Sequence, residues 1–207
     1  MPFDARGLRN ALGRFPTGVV IVTAFAPDGA RIGMTVSSFN AVSLDPPLVL
    51  FSVHRQALTF PVWQQVDCYA INILNEEQEV LSNQFAQAKG EKWDGVMPLA
   101  GVTGVPIMPN ACAVFECRAH ARHDGGDHEI FVGRVIEVHD HAVSRGRPLV
   151  FFEGRYPRSP VRRPPTTVRG CCSSAWMVNP AGRSESETKK VRRCRSTKST
   201  RNFTPST

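Results

Sequence analysis

Apolar residues recur along this chain in two rhythms. Leu8, Ala11, Leu12 and Phe15 fall at i, i+3, i+4 and i+7, which is one face of a short amphipathic helix, and Pro16-Thr17-Gly18 stops it. From Val19 onward the period shortens. The β-branched run 19–25 and the stretch 32–36 flank Asp28-Gly29, a hairpin signal. Residues 48–53 are apolar on both faces and predict a strand buried on two sides. Residues 58–65 read as a short helix or turn, and 68–74 as a further strand. Asn75 and Gln78 have capping-box spacing, opening a helix with Val80, Leu81 and Phe85 as its apolar contacts over one end of the β structure. Over 113–123 the alternation is regular. Ala113, Phe115, Cys117, Ala119 and Ala121 face one way, and Glu116, Arg118, His120 and Arg122 face the other. Asp124-Gly125-Gly126-Asp127 turns this strand into 128–138, and 148–152 supplies a last strand before Gly154-Arg155-Tyr156.

Six or seven short strands, two to three short helices and no βαβ rhythm predict a mainly β (α+β) chain built as an antiparallel barrel. A Rossmann domain is excluded, since no GxGxxG follows a strand and opens a helix. Any bound nucleotide must be held by another device.

Charge changes the picture mainly at the C-terminus. The 207 residues carry a formal charge of +7, but 12 Lys and Arg against 2 Asp and Glu lie in 157–207, leaving 13 against 16 in 1–156. The body is mildly acidic, so its composition gives no nucleic-acid footprint. Residues 157–207 are rich in Arg, Ser, Thr and Pro, and predict a basic, disordered tail after a single domain over 1–156. An altered 3′ end of the reading frame would produce the same abrupt change. No continuous apolar run marks a signal or a membrane span, which implies a cytoplasmic protein. Six scattered cysteines form neither a disulfide framework nor a zinc set, and His139 and His141 lack further ligands, so no metal site is expected.

The candidate chemistry lies elsewhere. Thr35, Val36, Ser37, Ser38 and Phe39 put hydroxyls and backbone N–H groups at a strand end. Ser43-Leu44-Asp45-Pro46-Pro47-Leu48 then leads into the apolar strand. Together they suit a flat polar ring, although alone the first segment reads first as a Ser/Thr turn bonded to its own backbone. Lys92 can place an ammonium near a phosphate or simply be solvated, and His128 can serve a ligand or merely begin a strand.

Read together, Phe15-Pro16-Thr17-Gly18-Val19, Thr35-Val36-Ser37-Ser38-Phe39, Ser43 to Leu48, Asn72-Ile73-Leu74, Phe85-Ala86 with Lys92-Trp93, Gly126-Asp127-His128 with Gly133, and Pro148-Leu149-Val150 with Gly154-Arg155-Tyr156 resemble, in order and spacing, the flavin reductase family. The resemblance runs from about Leu8 to Tyr156 and implies an FMN-binding split β-barrel. It implies an NAD(P)H:flavin oxidoreductase that reduces FMN or FAD by hydride transfer from nicotinamide C4 to flavin N5, with NADH or NADPH as donor. It also implies a homodimer that supplies diffusible reduced flavin to a separate flavin-dependent monooxygenase. The same resemblance assigns flavin contacts to Thr35–Phe39, to Ser52, Val53 and His54, to Ala57, Leu58 and Thr59, and to Phe85, Ala86 and Lys92. Many relatives have a serine where Ala57 stands. It assigns the nicotinamide side to His128, with Tyr156 as a weaker candidate there. The alternatives are a non-catalytic flavin carrier on the same barrel and a polyanion-binding module working through the tail.

Overall fold

A computed structural model describes residues 4–140 and 146–157. Helix α1 (Ala5–Leu12) begins at Asp4, whose carboxylate accepts from the backbone N–H of Gly7. Eleven strands follow among the described residues. Seven of them, β2 (Val20–Phe25), β3 (Arg31–Val36), β4 (Asn40–Leu44), β5 (Pro47–His54), β6 (Cys68–Ile73), β9 (Ala113–Gly125) and β10 (His128–Asp140), form one antiparallel sheet in the order β3-β2-β6-β9-β10-β5-β4. Two short ladders flank it. One pairs β1 (Thr17–Gly18) with β11 (Val150–Phe151), the other β7 (Leu99–Ala100) with β8 (Pro106–Ile107). The fold is an antiparallel split barrel whose ladder stays open between β3 and β4.

The interior explains the curl. Val20, Val22, Ala24, Val49, Phe51, Val53, Tyr69, Ile71, Cys117 and Phe131 form one buried cluster drawn from five strands. Phe51 is its centre, 5.3 Å from Phe131 and 5.2 Å from Tyr69, with Trp63 of helix α2 (Phe60–Trp63) at 6.1 Å. Burying each such side chain stabilises the fold by about 1.5–3 kcal/mol relative to exposure. Gly133 lets the sheet close over this core, because a Cβ there would collide with the Tyr69 hydroxyl. A second cluster, Val19, Ile21, Leu74, Phe85, Met108 and Leu149, seats helix α3 (Glu79–Ala86) against the opposite face of β2 and β3.

Several expectations need correcting. Strand β5 alternates, with Val49, Phe51 and Val53 inward and Leu48, Leu50, Ser52 and His54 half-buried, because the open edge leaves its outer face only partly covered. The capping box at Asn75 and Gln78 forms, but around a single 3-10 turn (Glu76–Gln78) that precedes α3. Val80 points outward at 78% exposure, and Ser82 and Phe85 are the residues α3 buries. Glu116 is fully buried despite its place on the polar side of the alternation. His139 Nε2 donates to that buried carboxylate at 2.7 Å. His141 and residues 158–207 lie outside the described residues, and with them the expectation of a disordered tail.

Candidate active site

The cleft is built where β3 ends beside β5, on the open side of the barrel. No ladder joins these strands, so a side chain does. The backbone N–H of Ser52 donates to Ser38 Oγ at 2.9 Å. Beside this bridge lies a cavity of about 570 Å³ lined by Met34, Thr35, Val36, Ser37, Ser38, Ser52, Val53, His54, Ala57, Gly125, His128 and Ile130. Valines, Ala57 and Ile130 give it apolar walls, and Ser37, Ser38 and Ser52 give it hydroxyls. That donor set suits a planar heterocycle with several acceptor atoms.

Nine of the sixteen residues nominated from sequence line this cavity: Thr35, Val36, Ser37, Ser38, Ser52, Val53, His54, Ala57 and His128. The other seven lie around it. Phe39 packs on Phe115 at 5.8 Å, while Leu58 and Thr59 form the turn into α2, Leu58 being 68% exposed. Phe85 is buried against Gly33 and Trp93, docking α3, and Ala86 ends that helix in solvent. Lys92 donates to the carbonyls of Gly33 at 3.2 Å and Phe85 at 3.1 Å, and burial lowers its pKa from the ordinary lysine value. Tyr156 meets Ser82 Oγ at 2.9 Å, and the Ser82 carbonyl in turn accepts from Thr35 Oγ1 at 2.7 Å. Tyr156 therefore braces the cleft wall through α3 instead of joining His128 at the mouth. Met34, Gly125 and Ile130 were not nominated. Ile130 belongs because β10 pairs with β5 in a register that sets it opposite Ser52.

The mouth carries the titratable groups. His128 Nδ1 lies 2.7 Å from Asp127 Oδ1, His54 Nε2 lies 4.0 Å from Asp127 Oδ2, and the two rings meet edge to face at 4.9 Å. The hydrogen bond from His128 holds the Asp127 carboxyl below the usual range. Away from the cleft, in the core, burial pushes the Cys117 thiol up to about 12, so it stays protonated at neutral pH. Among the described residues no cluster of three or more His, Cys, Asp or Glu is placed to hold a metal, and no helix is long and apolar enough to cross a membrane. A second cavity of about 620 Å³ lies by Gln64, Tyr69, Arg122 and Phe131, with Asp124 and Glu129 in its wall held in ion pairs by Arg55 and Arg122.

An open split barrel with a hydroxyl-lined cleft and a histidine at its mouth defines a class of nucleotide-cofactor proteins. Within it, this chain belongs to the flavin reductase family: the flavin reductase like domain matches residues 12–160. The chain is 44% identical over 155 residues to the FMN reductase (NADH) SmoA of Agrobacterium fabrum, covering 75% of this chain and 86% of that one. It is 35% identical over 153 residues to the flavin-dependent monooxygenase reductase subunit HsaB of Rhodococcus jostii, covering 74% and 77%. Among solved structures it is similar to the NADH:FAD oxidoreductase SgcE6 of Streptomyces globisporus, determined with NAD and FAD fragments. The TM-score is 0.71 at 35% identity, over 77% of this chain and 96% of that one.

Proposed function

We infer that the chain is an NAD(P)H:flavin oxidoreductase that reduces FMN or FAD and releases it to a separate monooxygenase. The observation that carries this reading is the cleft in which the hydroxyl rim of β3 and β5 meets His128 from β10. When bound, the flavin supplies the acceptor for a hydride from the dihydronicotinamide. The protein's part is to position. Val36 and Ile130 offer apolar contact to a ring, and Ser37, Ser38 and backbone N–H groups offer donors to its edge. The open side leaves room for a second ring, and transfer needs the reacting atoms about 3–3.5 Å apart with no obligatory acid or base from the chain. A cleft this open also lets product leave, as supply to a separate oxygenase requires.

The test is direct. Purified protein is mixed with NADH or NADPH and with free FMN or FAD, and loss of dihydronicotinamide absorbance is followed for the four pairs. Turnover with at least one pair is expected. Flat traces with all four remove the reading, and a protein that binds flavin yet oxidises dinucleotide only slowly is the carrier instead. Two of the relatives carry NADH in their names, which makes it the first donor to try.

The assembly we propose is a homodimer. Leu12 and Phe15 are 65% and 75% exposed, and Leu44 on the open edge strand β4 is 83% exposed. Bare apolar groups of this size favour a protein partner. The proposed location is the cytoplasm, where dinucleotide and flavin are available, and Cys68 and Cys117 are free thiols in keeping with a reducing compartment.

A further inference from the structure

Three methionines lie among the described residues, in three different settings. Met108 is in the core at 1% exposure, and Met97 is 84% exposed on the segment between α3 and β7. Met34 is half-buried on β3 and lines the cleft. Its position is well fixed. The backbone pairs with Val22 of β2, the side chain packs against the core cluster that contains Val22 and Phe51, and the next residue, Thr35, is tied through Oγ1 to the Ser82 carbonyl at 2.7 Å. Met34 therefore stands at the boundary between a dry core and a cleft that opens to solvent. The cysteines do not line this cleft, and burial raises the thiol pKa of both Cys112 and Cys117.

The proposed reaction brings an oxidant to that sulfur. The open side that admits a second ring also admits oxygen, which takes two electrons and two protons from dihydroflavin to give oxidised flavin and hydrogen peroxide. A thioether is a two-electron reductant for peroxide. An S–O bond forms as the O–O bond breaks, and the departing hydroxide takes the proton of the transferred oxygen and leaves as water. The sulfur is oxidised to the sulfoxide and the peroxide is reduced. A soft apolar wall then carries a strong hydrogen-bond acceptor. Turned toward Val22 and Phe51 that oxygen is desolvated at a cost, and turned toward the cleft it narrows the slot for a ring.

We propose that Met34 is a modification site: peroxide formed in the cleft oxidises its thioether, and the sulfoxide weakens flavin binding until it is reduced again. This rests on the flavin reductase reading and adds to it a reversible brake, applied when dihydroflavin is not consumed by the oxygenase.

The experiment uses the full chain as wild type, Met34→Leu, which conserves side-chain volume, and Met97→Leu. Each turns over NADH and FMN, or whichever of the four pairs is active, in air, with catalase in the solution and no oxygenase. Mass spectrometry then locates sulfoxide, and flavin is titrated without dinucleotide, each protein being compared with its own sample before turnover. Sulfoxide should accumulate at Met34 ahead of Met97, the reverse of the order that exposure alone dictates, and should not form when oxygen is excluded. The flavin dissociation constant of wild type and of Met97→Leu should rise about tenfold once Met34 is converted. That of Met34→Leu should hold, and methionine sulfoxide reductases for both epimers should restore the wild-type value. Oxidation of Met97 ahead of Met34, a Met34 sulfoxide with unchanged flavin binding, or a Met34→Leu that loses flavin affinity as fast as wild type would each overturn the inference and leave the reductase reading intact. Failure of wild type to oxidise NADH or NADPH with either flavin would remove that reading, and the inference with it.

Discussion

Glu116 has no exposed surface, yet its carboxylate is well supplied with donors. The Val102 N–H lies at 2.9 Å, the Thr103 N–H at 2.8 Å and hydroxyl at 2.5 Å, and His139 Nε2 at 2.7 Å. Burial alone would raise its pKa, but these hydrogen bonds outweigh it and hold the folded value below the usual carboxylate range. The sign follows directly. The stability it contributes is fully present above the unfolded-state carboxylate pKa and is lost as pH falls through the lowered folded value. Glu116→Gln keeps the shape but turns an amide N–H₂ toward donors, and should cost about 1–3 kcal/mol in urea unfolding at neutral pH. That loss should shrink in acid. A variant as stable as wild type at neutral pH would show that the 99–107 segment anchors itself. The alternation over 113–121 cannot reveal any of this. A period of two assigns a side to each residue, but whether a later loop folds over that side depends on Gly101, whose missing Cβ makes room for the carboxylate.

At the scale of elements, the cleft depends on β3 and β5 meeting without a ladder, and Ser38 is the residue that joins them. Ser38→Ala leaves the Ser52 N–H without its partner and loosens the rim, so KM for flavin should rise several-fold, about 1 kcal/mol, with the melting temperature little changed. Ser37 is exposed and borders the cavity, so Ser37→Leu should block the slot and raise the same constant further without unfolding the chain. If neither moves the flavin constant in initial-rate assays, the two serines merely form a turn. Much of this element level was legible. The strand runs, the Asp28-Gly29 hairpin and the Asn75 capping box follow from local pattern, whereas the Thr35–Phe39 segment is marked out by the family resemblance, and its Phe39 packs on Phe115 and not in the cavity. Strand β4 was not legible, because Asn40-Ala41-Val42-Ser43-Leu44 makes an exposed edge with no inward alternation to betray it. The docking role of Phe85 follows from the helical pattern, but that of Lys92 does not: its ammonium ties the backbone carbonyl of Phe85, seven residues back, to that of Gly33, 59 residues away in sequence.

For the whole molecule, the charge division separates catalysis from any polyanion affinity. The described cleft lies within residues 34–130, and the family match ends at residue 160. The segment 157–207 carries 12 basic residues against 2 acidic, whereas 1–156 has 13 against 16. A chain ending at Pro160 should therefore keep both Michaelis constants of the full-length protein in the dihydronicotinamide assay. Any affinity of the full chain for DNA, RNA or acidic vesicles should fall steeply with salt, as contacts made by Lys and Arg do, and should vanish in the shortened chain. Loss of reductase turnover on shortening would mean that the basic segment completes the site. Polyanion binding retained by the acidic body would need a local basic face, and Arg55 and Arg122 are already paired with Asp124 and Glu129.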